Sequence, residues 1–178
     1  MLNKTIAHGC SFTRYKWPCW PKFVSWFNGG MTMLNKGRSA SGNETISRVV
    51  INSAMKHKDI AHMYIMWSAV DRYEVITLDE GVDHLGGRIT YRVWDDDFKW
   101  STWFGGHRLP DKHDYYRRHF WNEQHQQYRT LEHIQRAQMF LDKKAIPYTM
   151  MIFNKDVLRD EFYSESEQAL YNEIDWTK

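Results

Sequence analysis

Short apolar runs that each break on a glycine or serine, then give way to a segment of helical period, recur along this chain. That alternation restricts the folds open to it. Thr5-Ile6-Ala7-His8 reads as a first strand, ended by Gly9. Trp20 to Asn28 places Phe23, Val24 and Phe27 at helical spacing, with Pro18 and Pro21 suited to its approach and first turn and Asn28-Gly29-Gly30 to its end. Met31 to Leu34 reads as a second strand. Glu44 to Lys58 is helical, with Ile46, Val49, Val50, Ser53 and Ala54 on one face and Asn43 or Ser41 as the cap. Ala61 to Trp67 has the look of a buried third strand. Strands alternating with helices over short loops predict an α/β fold: three layers, α/β/α, around a central, mainly parallel sheet.

Beyond the third strand the rhythm is lost. An irregular, aromatic-rich insert is expected over about residues 77–114, where "HLGG", "WDDD" and "WFGGHRLPD" are turn signals and "RITYRVW" alternates like half of a hairpin. A long helix follows from Tyr115 to Lys144, with Phe120, Gln127, Leu131, Ile134, Gln138 and Leu141 as its stripe. Ile146 to Asn154 reads as another buried strand and the polar tail as partly helical. At 178 residues, without internal repeats, residues 1–178 are expected to form one domain.

Totals narrow the function classes. A formal net charge of +2 is too mild to predict nucleic-acid binding, and no apolar run reaches the length of a membrane span, so neither partner is expected. Without a signal peptide the chain should be made in a cytoplasm. Cys10 and Cys19 are too sparse for a disulfide framework and lack metal-ligand spacing, so both are expected reduced, with no metal and no cofactor. Aromatic residues make up 16% of the chain, nine of them tryptophan; they either enlarge the core or line a stacking surface.

In parallel sheets ligands bind at the carboxyl ends of the strands. Three stretches should meet there: "GCSFT" with Ser11, "GRSASGNE" with Gly42 and Asn43, and "MWSAVDRYE" with Ser68, Arg72 and Glu74. Acyl transfer needs an activated hydroxyl and fixed donors where the oxyanion develops. Ser11 has the hydroxyl; its own N–H, the N–H of Gly42 and a side chain of Asn43 or Ser68 are the candidate donors. Each has a plainer reading: Ser11 as a helix cap, Gly42 as a loop glycine, Ser68 as a cap after the strand. Arg72 and Glu74 most simply pair with each other or face water, although Arg72 is also a candidate substrate contact. Asp95 to Asp97 reads as a solvated turn.

These three stretches, in this order, resemble the first three blocks of the SGNH (GDSL-type) hydrolases, closest to the divergent branch found in bacteriophage genomes. "YYRRHFWNEQHQQYRTLEHI" and "EIDWTK" are similar to that branch as well. The resemblance implies that Ser11 is the nucleophile and Gly42 an oxyanion donor, with Ser68 standing where the family has an asparagine. The family's Asp-x-x-His block has no counterpart, because no histidine follows Phe153. The base is then sought at His8, His107 or His113. The implied activity is that of a serine esterase on a small-molecule or acylated-carbohydrate ester. The rival is a non-catalytic phage structural or host-interaction protein, virion-associated and bound to other phage proteins, on a degenerate or truncated version of the fold.

Overall fold

The computed structural model describes residues 4–39, 41–70, 72–77, 89–92, 99–104, 122–153 and 162–178, with backbone alone for 73, 75–77, 89–92 and 99–104. In chain order the elements are β1 (Lys4–His8), α1 (Trp20–Phe27), β2 (Met33–Asn35), α2 (Asn43–Lys56), β3 (Ile60–Trp67), β4 (Arg72–Thr77), β5 (Ile89–Arg92), β6 (Lys99–Phe104), α3 (Glu123–Lys143), β7 (Tyr148–Ile152) and α4 (Glu165–Asn172). Four strands form a parallel sheet in the order β2-β1-β3-β7. The fold is α/β, as the alternation of strand and helix predicts. β1 lies inside the sheet and is buried from Thr5 to His8, which is why it reads as a continuous run rather than an alternating one.

Alternation along the strands divides this sheet into two unlike faces. Ile6, Met63, Ile65, Trp67 and Tyr148 point to one face and join Ile46, Val50, Leu131, Ile134, Leu141 and Ile174 in a single cluster. Each of Leu131, Ile134 and Leu141 is fully buried, which stabilises by about 1.5–3 kcal/mol per side chain. The stripe expected for the long helix is therefore real from Gln127 to Leu141, polar members included. Gln138 has a structural task, donating to the Asp175 carbonyl at 2.8 Å and accepting from the Asp175 N–H at 3.0 Å. The opposite face carries His62, Tyr64 and Met66, all only half-buried. α1 meets it through Trp20, whose ring stands edge-on to Tyr64 at 6.2 Å.

Several boundaries differ from expectation. The second strand is Met33–Asn35, two residues late, because the Gly29-Gly30 turn with positive φ at both glycines is followed by a further linking pair. The long helix has its cap at Asn122, whose side chain accepts from His125 N at 3.0 Å; Tyr115 to Trp121 lie outside the described residues. The insert is more regular than its turn signals implied. β4, β6 and β5 make a three-stranded antiparallel sheet in which Arg72 pairs with Phe104, Thr77 with Lys99 and Ile89 with Thr102. The alternation at "RITYRVW" is a genuine strand signal, and its partner "KWSTWF" is a run of strand-favouring Trp, Thr and Phe. Asp95 to Asp97 fall outside the described residues.

Candidate functional site

The turn after β1 is fixed by glycine and threonine. Gly9 has φ +150°, and a Cβ there would run into Thr13 Oγ1 and stand 2.9 Å from the Met66 carbonyl oxygen. The Cys10 carbonyl accepts from Thr13 N at 3.0 Å and Arg14 N at 3.3 Å, closing the turn. Thr13 is wholly buried. Its hydroxyl accepts from Trp20 Nε1 at 3.1 Å, its carbonyl accepts from Asn35 Nδ2 at 2.7 Å, and its side chain fills the space that a Cβ on Gly37 would need. Ser11 rides on this turn, half-buried. Among the described residues neither its hydroxyl nor its N–H has a hydrogen-bond partner. Only its carbonyl is engaged, by Cys19 Sγ at 3.9 Å. Cys10 is buried, and both cysteines are free thiols.

The second stretch is organised around a residue expected either to pair with Arg72 or to face water. Glu74, on β4, is buried, and its carboxylate accepts from Gly42 N at 2.9 Å and Thr45 N at 2.7 Å. It therefore caps α2 from a distant strand, in the position where a carboxylate is favoured by the helix dipole. The expected caps, Ser41 and Asn43, do not act as such: α2 begins after Gly42 with no side-chain cap of its own. Gly42 is glycine because a Cβ would lie 2.8 Å from the Glu74 carboxyl carbon and 3.0 Å from the Arg72 carbonyl oxygen. Burial pushes the Glu74 carboxyl up, against the opposing pull of its hydrogen bonds to Thr45 and Gly42. Arg72 donates to the Ser41 carbonyl at 2.9 Å.

Asn43 fastens the second stretch to the third. Its Oδ1 accepts from Ser68 N at 2.7 Å, and its Nδ2 donates to the Ser68 carbonyl at 3.1 Å and to Thr130 Oγ1 at 3.2 Å. Both amide hydrogens are thus in use, as is the N–H of Gly42. Neither the Gly42 N–H nor the Asn43 side-chain amide is therefore open to an oxyanion in this conformation. Ser68 is wholly buried, and its hydroxyl meets no partner among the described residues.

Of the three candidate bases, His107 and His113 lie outside the described residues. His8 is 1% exposed, with neither ring nitrogen hydrogen-bonded among the described residues. Burial, reinforced by Lys36, Arg38 and His57, lowers its pKa to about 3. A neutral imidazole of that basicity, closed off from solvent, is a poor general base. A small polar pocket between α2, β4 and α3 is lined by Asn43, Arg72, Glu74, Gln126, Arg129 and His133 among others and has room for about one water. His133 there is also held at about 3, by burial and by Arg136, Arg129 and Arg48. Glu44 balances the arginines, bonding Arg129 at 2.6 Å and Arg48 at 3.4 Å. Among the described residues no three His, Cys, Asp or Glu side chains are grouped to hold a metal ion.

The carboxyl edge of the sheet therefore brings together all three sequence stretches, but it divides their labour differently. Among the described residues the Ser11 hydroxyl and N–H are uncommitted, whereas the Gly42 N–H, the Asn43 side chain and the Ser68 backbone are built into the frame. Thr13 and Thr130 are residues that sequence reasoning missed, and for Glu74 it named the residue but missed the role. Glu74 carries no local signal, since its partners lie about thirty residues upstream. Thr13 had one, the fixed spacing from Gly9 across the turn. Compared with models of known protein families and with curated proteins, the chain matches none.

Proposed function

We propose that this chain is a serine ester hydrolase of the SGNH kind, acting on a small-molecule or carbohydrate ester with Ser11 as nucleophile. The observation that carries the reading is the placement of Ser11, half-buried on a glycine-enforced turn at the carboxyl end of an interior parallel strand, with hydroxyl and N–H both unengaged among the described residues. In the reaction, Ser11 Oγ bonds to the ester carbonyl carbon as its proton passes to a base. The Ser11 N–H donates to the oxyanion, and collapse expels the alcohol, which takes the proton. Water then releases the acid by the same route. Gly42 and Asn43 hold the frame rather than the oxyanion, and His107 and His113 are the candidates for the base.

A second reading has an observation of its own. The commitment of the Gly42 N–H to Glu74 and of the Asn43 amide to Ser68 and Thr130 favours a non-catalytic phage structural or host-interaction protein on the same fold. A fluorophosphonate probe separates the two. The enzyme reading expects covalent labelling of the folded protein that disappears in Ser11→Ala. Folded protein that takes up no label, or label that survives Ser11→Ala, rejects Ser11 as the nucleophile and leaves the second reading.

A further inference from the structure

The net charge of +2 conceals an asymmetry. Six of the 24 Lys and Arg residues, and none of the 22 Asp and Glu residues, lie within the first 43 positions. The same part of the chain holds the most exposed aromatic side chains among the described residues. α1 buries only Pro21. Phe23, Trp26 and Phe27, at i, i+3 and i+4, share one helical face that looks away from the sheet, with Trp26 73% and Phe27 86% exposed. Trp17, 64% exposed, stands just before the helix. Lys22, one turn before Trp26, and Lys16 are both exposed, and neither is in an ion pair among the described residues.

We propose that the exposed face of α1, with Lys16 and Lys22 at its border, docks onto an anionic lipid surface. A short convex helix with Trp and Phe on one side and cations at the edge is suited to an interface in which rings enter the headgroup boundary and ammonium groups meet lipid phosphates. No helix among the described residues is long and apolar enough to cross a membrane, so the contact is with the surface. Charge decides against the other occupants. Two copies joined through this face would bring the same cations together with no carboxylate between them. A nucleic acid strand would need its bases in a groove of stacked rings, whereas these three rings project from the outside of a helix. The inference does not depend on Ser11 being a nucleophile.

The test is flotation of the full chain with vesicles of phosphatidylcholine containing about 30 mol% phosphatidylglycerol, at about 0.15 M salt. The wild type is expected to float with these vesicles and not with pure phosphatidylcholine. Trp26→Ser/Phe27→Ser and Lys16→Glu/Lys22→Glu are each expected to bind about tenfold more weakly. All four positions are exposed, so the variants should keep the wild-type far-ultraviolet dichroism; Ser11→Ala should float like the wild type. Failure of the folded wild type to float overturns the proposal, as does undiminished flotation of Trp26→Ser/Phe27→Ser. Binding of an oligothymidylate, or a dimer abolished by Trp26→Ser/Phe27→Ser, in place of flotation would assign the face to nucleic acid or to self-association instead.

Discussion

The two faces of the parallel sheet use the same kinds of residue to opposite ends. On one, Ile65 and Trp67 are wholly buried beneath α2, α3 and α4. On the other, Tyr64 and Met66, their immediate neighbours in sequence, stay half-buried, and α1 presents Trp26 and Phe27 to solvent. A surplus of aromatic residues thus has two meanings around one sheet: core volume on the first face and an unsatisfied surface on the second. The contrast teaches that aromatic content is informative only after a face has been assigned. Burial of a tryptophan is a contribution to stability, whereas its exposure on an amphipathic helix is a statement about what the protein meets.

Substitution of one tryptophan on each side gives the sharpest test of that contrast. Trp67→Ala is expected to cost about 3–5 kcal/mol, through lost burial and the cavity left behind. Trp26→Ala should stay within about 0.5 kcal/mol of wild type. Urea titrations of the two variants would check this, and equal losses would erase the distinction between the faces. Next in size is Glu74→Ala, expected to cost about 2–4 kcal/mol because two buried backbone N–H groups at the start of α2 lose their acceptor. The same titration measures it, and a neutral result would mean that water caps the helix equally well.

An effect that builds only as the pH falls concerns charge inside the covered face. His8 titrates at about 3 in the fold against 6.5 for the ordinary group, so the folded state favours the neutral ring. Its contribution is full above pH 6.5 and is lost as pH falls from there toward 3, by up to about 1.4 kcal/mol per pH unit. His133 acts in the same direction. Glu74, pushed up, acts in the opposite one, its contribution fading as pH rises through its folded value. His8→Leu should be at least as stable as wild type at pH 7, since a buried polar group with no hydrogen-bond partner among the described residues is replaced by an apolar one. Its stability curve between pH 6 and 4 should be flatter by that one proton. Denaturation midpoints across this range read the slope, and an unchanged slope would show that His8 is protonated within the fold.

What was legible beforehand follows the range of the interactions. Gly9 ending β1, the helical stripe from Ile46 to Ala54 and the buried stripe of α3 are set by neighbours three or four residues apart, and these were readable. The caps of α2 were not. Ser41 and Asn43 are good cap residues by local chemistry, yet a carboxylate from β4 takes that place, and Asn43 turns to bind Ser68 and Thr130. The strand "KWSTWF" escaped notice because its partners on both sides are supplied by pairing and not by its own pattern.

The sequence by itself determined that strands and helices alternate, that Ser11 stands just after β1 and that Gly42, Asn43 and Ser68 follow later strands. Periodicity and turn chemistry are local properties of the chain, and they are sufficient for that much. Only the tertiary structure decided which of those polar groups remain free. A buried N–H or amide must find a partner wherever the fold brings one. Here Glu74 reached Gly42 and Thr130 reached Asn43, while the turn braced by Thr13 left the Ser11 hydroxyl and N–H without a partner among the described residues.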